Sequence, residues 1–198
     1  PVAGPGMEPG CLSLGAGAMA IGGAEARRAM DADDDSSGIP ARDAYAFRTG
    51  RESSKAEVLH IEIARIQRAN LAASYRAVPG ALGSVLRQAG IRTAIIGNSD
   101  IPGEPHREAA ACAMDSMGIV DVGNVGSPDL LSHDPRAPYG LRANPATLLR
   151  ELDRALARCR FIVVDFGDTF RADGYAELCT DERALAARRD AVRRLDGL

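Results

Sequence analysis

Phe161 to Val164 is a continuous apolar run with two adjacent valines, and it stops abruptly at Asp165. Such a run, without alternation, reads as a strand buried on both faces, the kind found inside a parallel sheet. Ile91 to Ile96 reads as a second buried strand and exits into Gly97, Asn98, Ser99 and Asp100. Helical periodicity dominates elsewhere. From Lys55 to Tyr75, Leu59, Ile63, Ile66, Asn70 and Leu71 fall near one face. Ala81 to Gln88 forms a short helix with Gly90 at its C′ position. Asn144 as N-cap and Pro145 at the first helical position open a stripe of Leu148, Leu149, Leu152, Leu156 and Cys159. Thr180 caps a last amphipathic helix from Asp181 to about Leu195.

Between these elements the pattern is weaker. Ala109 to Met114, a turn at Asp115 to Gly118 and Ile119 to Val122 read as a small β-hairpin, although Arg107 to Met117 also fits a helix. The Pro- and Gly-rich opening through Gly10 and the segment Gly123 to Gly140 read as loops, and Ala24 to Met30 as a possible helix. Asp31 to Gly38 is a solvated acidic loop without the spacing or distal Glu of an EF-hand. The order of helices and strands predicts an α/β fold: a mostly parallel sheet flanked by helices, with a small hairpin.

At 198 residues the chain suffices for a single α/β domain, or for part of a larger one. No basic stripe interleaved with aromatics supports nucleic-acid binding. Lys55 is the only lysine, which confines lysine chemistry to one position. Cys11, Cys112, Cys159 and Cys179 form no CxxC pair, and the apolar settings of Cys112 and Cys159 predict buried free thiols. The chain starts at Pro1 rather than Met, which leaves room for a removed signal peptide or anchor, and so for membrane attachment through segments outside it.

Chemistry concentrates at the two strand exits. In open α/β sheets ligands bind beyond the carboxyl ends of the strands. If the two strands are neighbours, Asp100, Asp165 and Asp168 converge on one rim. Clustered carboxylates suit a divalent cation such as zinc, manganese or magnesium, with Asn98 and Thr169 in support. Arg171 would clamp an anionic oxygen in bidentate fashion. Ser13 is the best placed nucleophile and Cys11 the next. The plainer reading, that Asp165 and Asp168 cap a turn and pair with Arg171, has equal standing. His60, His106 and His133 are the only histidines, and no GxSxG elbow supports a Ser-His-Asp triad. His60 is expected at the surface or its boundary. Gly15 and Gly17 raise a weaker alternative, a nucleotide-binding turn.

The strings AVPGALGSVLRQAGIRTAIIGNSD, REAAACAMDSMGIVDVG and FIVVDFGDTFRAD look like a family of bacterial proteins related to the alkaline phosphatase superfamily. That family is often envelope-associated in Gram-positive lineages. The resemblance covers about Val78 to Leu195, and CLSLGAGAMA more faintly. It implies an alkaline phosphatase-like sheet containing the Gly90 to Gly97 strand, with Asp168 in the place of a metal-binding Asp. No His follows Asp168, where Ala172 and Asp173 stand, and the chain has no Asp-His-Gly motif. Where the superfamily carries its Ser or Thr nucleophile, this chain has PVAGPGMEPGC. It therefore looks like the amino-terminal part of a larger domain.

Two functions follow as expectations. The first is a metal-dependent phosphatase-like or sulfatase-like hydrolase lobe acting on small phosphate or sulfate esters. The second is a non-catalytic extracytoplasmic binding or structural domain that keeps the fold without a complete metal site.

Overall fold

The computed structural model describes residues 7–53 and 55–198. In chain order the elements are α1 (Met7–Ala16), a 3-10 turn (Ala24–Arg27), β1 (Ala29–Asp31), α2 (Ala41–Thr49), β2 (Val58–His60), α3 (Ile63–Ala72), α4 (Ala81–Gln88) and β3 (Thr93–Gly97). They continue with α5 (Ala110–Ala113), β4 (Ile119–Val120), β5 (Val122–Asn124), β6 (Leu131–His133), β7 (Leu141–Ala143), α6 (Pro145–Leu156), β8 (Phe161–Asp165), α7 (Asp168–Tyr175) and α8 (Asp181–Asp196).

The fold is α/β. Its centre is a parallel sheet of three strands in the order β5-β3-β8. β1, β2 and β4 form a second, antiparallel sheet. Only Asp121 separates β4 from β5, so the chain steps there from one sheet to the other. The Asp121 carboxylate holds that step in place by accepting from the Thr93 amide at 3.0 Å.

β3 divides the interior. Side chains alternate across a strand, so Ile95 joins the large cluster of Leu12, Tyr45, Leu59, Ile63 and Met114, while Ala94 and Ile96 join Leu130, Leu148 and Phe166 under α6. All five residues of β3 are buried, as its apolar pattern predicts. β8 is different. Among the described residues it has one neighbour, β3, and it lies at the edge with Val164 43% exposed. The apolar run was a sound signal for a strand, but it does not report how many partners the strand has.

Other expectations are corrected. Ala110–Ala113 is helical, and β4 and β5 pair with different strands rather than with Ala109–Met114. The hairpin lies instead at β6, inside the segment Gly123 to Gly140 read as loop, and β7, which begins just after it. The opening segment turns helical at Met7, with Pro9 tolerated in the first turn; its first six residues fall outside the described ones. The helix expected from Lys55 starts only at Ile63, because Val58–His60 pairs with β1 and β4. His60 is buried, not at the boundary. One ring nitrogen lies 3.0 Å from the Ala26 carbonyl oxygen, and burial holds its pKa below the usual histidine value.

Several polar residues on apolar faces earn their places by hydrogen bonding. Asn70 pairs with Ile21 as a strand would, accepting from its amide at 2.9 Å and donating to its carbonyl at 2.8 Å. The Asn144 cap forms as expected, its side chain accepting from the Thr147 amide. Gly90 is left-handed at the end of α4. Among the described residues no helix is long and apolar enough to cross a membrane.

β3 ends at Gly97, whose φ of 88° lies in the left-handed region and whose missing side chain lets β3 approach the Asp165 carbonyl. Gly97→Ala is expected to destabilise the protein by about 2–4 kcal/mol, from backbone strain and overlap together. Urea denaturation measures this, and an unchanged midpoint would show that the β3–β8 contact relaxes freely.

Candidate functional site

The parallel pairing of β3 with β8 sets Gly97 opposite Asp165, so the two acidic strand exits lie on one rim. The geometry on that rim differs from residue to residue. Ser99 donates to Asp165 Oδ1 at 2.8 Å, and its amide donates to the His106 carbonyl. Asp100 accepts from the His106 amide at 2.7 Å, and its Oδ2 accepts from Arg107 Nε and Nη2 at 3.1 and 3.0 Å. Asp168 accepts from the Ala143 amide at 2.8 Å, from Arg171 at 3.0 Å and from Arg194 at 3.2 Å.

Arg171 is 1% exposed. Its guanidinium donates to the carbonyls of Asn98, Asp100 and Phe166, and to Asp168. It therefore ties both strand exits together and offers no free face to a ligand. The plainer of the two sequence readings holds for Asp168 and Arg171. Asn98 is likewise structural, its side-chain amide donating to the Val125 carbonyl at 2.8 Å.

Asp165 stands apart from the other two carboxylates. Oδ1 has its single bond from Ser99, and Oδ2 is buried without a partner. Burial pushes its pKa up to about 6; the Ser99 hydroxyl and Arg171 oppose that shift, while the charges of Glu108 and Asp100 add to it. Glu108 belongs to the same buried region. One of its oxygens lies 2.9 Å from His106 Nδ1, and the other has no partner. The His106 ring packs on Phe170 at 4.6 Å.

As arranged, these residues do not fit a divalent ion. Among the described residues no three His, Cys, Asp or Glu side chains come together in a way that would hold a metal. The expected ligands Asp100 and Asp168 already carry arginines. Ser13 lies on α1, its hydroxyl in contact with the Ala20 amide at 2.9 Å. Cys11 lies against Cys112. Gly15 and Gly17 sit at the end of α1, and Gly15 rests on Ala111, so neither meets the positive start of a helix that a phosphate would need.

A cleft of about 410 Å³ opens beyond the end of β3, lined by Arg28, Met30, Ile61, Asp100, Ile101 and Arg107 among others. Arg28 is exposed, and among the described residues no carboxylate lies within ion-pair distance of it. Sequence reasoning found the Asp100 wall of this cleft. It missed Arg28 and the His106–Glu108 pair, for which no periodicity or motif gives a signal.

The chain matches no protein-family model, no curated protein and no solved structure. The class that the fold and site define is an α/β protein with a polar cleft at the carboxyl end of its parallel sheet.

Two predictions follow from the rim. Arg171→Met removes the guanidinium while Asp168 stays buried, and is expected to cost about 3–5 kcal/mol in urea denaturation. Asp165 has a folded pKa above its unfolded value of 3.8. Below about pH 4 both states are protonated; between about 4 and 6 the unfolded chain loses its proton first, so this group's contribution to stability falls as pH rises and then levels off. Asp165→Asn should therefore be more stable than the parent at pH 7, by up to about 3 kcal/mol, and the difference should shrink toward pH 4. Parallel stability–pH curves for the two proteins would exclude a raised Asp165.

Proposed function

We propose that the chain is a non-catalytic binding module whose cleft at the end of β3 takes a small molecule bearing an anionic ester group, phosphate or sulfate. The observation that carries this reading is Arg28, which lines the cleft, is exposed and has no carboxylate within ion-pair distance among the described residues. On the same lining Asp100 is held by Arg107, and the carboxylates Asp35 and Glu104 complete the polar wall. A guanidinium matches the oxygens of a phosphate or sulfate in bidentate fashion. The apolar walls at Met30, Ile61 and Ile101 suit the organic part of an ester. The position beyond the carboxyl end of a parallel strand is where α/β sheets bind ligands.

The metal-dependent hydrolase reading has a cost that this one lacks. It requires Asp100 to leave Arg107, and Asp168 to leave both Arg171 and Arg194. Breaking one buried pair costs about 3–5 kcal/mol. The relationship to the alkaline phosphatase superfamily and the extracytoplasmic setting rest on the motif strings alone and belong to the proposal.

The test titrates the purified protein with inorganic phosphate, sulfate and p-nitrophenyl phosphate, each with and without zinc, manganese or magnesium. Melting temperature and release of p-nitrophenolate are followed together. The ester should raise the melting temperature, no metal should bring turnover, and Arg28→Ala should weaken binding about tenfold. Metal-dependent release of p-nitrophenolate would overturn the reading in favour of the hydrolase.

A further inference from the structure

α1 and α5 lie about a hundred residues apart in sequence and meet backbone to backbone. Gly15 of α1 rests on Ala111 of α5 so closely that a side chain at position 15 would overlap the Ala111 carbonyl oxygen. Cys11 lies four residues before Gly15, on the same helical face. Cys112 lies one residue after Ala111. The contact between the helices thus brings the two thiols together. Cys112 Sγ is 3.7 Å from the Cys11 carbonyl oxygen, to which it donates. Both cysteines are free. Cys112 is 6% exposed, whereas Cys11 is only half-buried and is the more accessible residue of the two.

We propose that Cys11 and Cys112 are a thiol–disulfide exchange pair, which takes up a small disulfide at Cys11 and closes to an intramolecular bond between α1 and α5. In the first step the Cys11 sulfur, having lost its proton to solvent, attacks one sulfur of a disulfide such as oxidised glutathione. A mixed disulfide forms and one small thiol leaves. In the second step the Cys112 sulfur, also deprotonated, attacks the Cys11 sulfur and expels the second small thiol. The protein gives up two protons and two electrons, and the small disulfide takes up both as two thiols.

The surroundings set the character of the pair. The Cys11 thiol beside it eases proton loss at Cys112, the resolving thiol, while Cys112 and burial raise the pKa of Cys11. The charges of Asp165 and Glu108 also oppose a thiolate at Cys11. A thiol kept protonated attacks slowly, so the pair acts as a stoichiometric lock rather than as a turnover catalyst. The lock would close a loop spanning a separation of 101 residues. Loops of that size restrict the unfolded chain strongly. This inference is independent of what the cleft binds.

The experiment incubates the full chain with oxidised glutathione, unfolds it under acid quench and counts thiols. The expected result is a fall from four titratable thiols to two, a mass lower by two hydrogens, and a cross-linked peptide joining Cys11 to Cys112. Oxidised protein should melt several degrees higher than reduced protein. Cys112→Ser should stop at the mixed disulfide on Cys11. Should that variant fail to fold, peptide mapping of the parent still decides. Four remaining thiols, a persistent glutathione adduct on the parent, or a cross-link involving Cys159 or Cys179 would each overturn the proposal.

Discussion

A guanidinium sealed from solvent organises the carboxyl edge of this protein. Arg171 comes from the first turns of α7, yet its hydrogens reach the carbonyls that follow β3 and the one that follows β8. Those carbonyls have left the ladder of the parallel sheet and need donors from elsewhere. A buried charge needs hydrogen bonds and a counter-charge; here both terminal nitrogens of Arg171 have partners and only Nε lacks one. Asp168 supplies the counter-charge and is itself held by Arg194 from α8. One ion pair thereby joins two strand exits, the start of one helix and the flank of another.

Two cores lie on either side of β3, and this is why the strand exits are held so firmly. Ile95 faces the larger cluster and Ile96 the smaller, so β3 cannot shift by one residue without placing each side chain in the wrong cluster. β8 follows that register, and Asp165 arrives opposite Gly97. The rim is thus fixed by packing before any of its charges interact.

The same rigidity decides which charges are available for chemistry. Asp100 and Asp168 are committed to arginines, whereas Asp165 and Glu108 each keep a buried oxygen without a partner. Unsatisfied acceptors of this kind raise the free energy of the folded state when ionised, and the raised pKa of Asp165 is the consequence. The thiols of Cys11 and Cys112 share that electronegative region. Arg28, on the solvent side of the cleft, is free of these constraints.

Local pattern alone determined much of this protein. The Asn144 cap with Pro145, the α4 helix ending before Gly90, and the buried β3 strand depend on neighbours within a few residues, so their sequence signals are complete. The elements that were misplaced depend on partners far along the chain. Val58–His60 is a strand because β1 and β4 flank it, and the apolar residues around it are equally compatible with a helix. The sequence also placed Asp100, Asp165, Asp168 and Arg171 near one rim, because strand exits in a parallel sheet share an edge. Only the tertiary structure decided that Arg171 turns inward, that two of the three carboxylates are paired, and that Cys11 meets Cys112. Those outcomes turn on which oppositely charged or reactive group lies within a few ångströms, and separation along the chain carries no record of that.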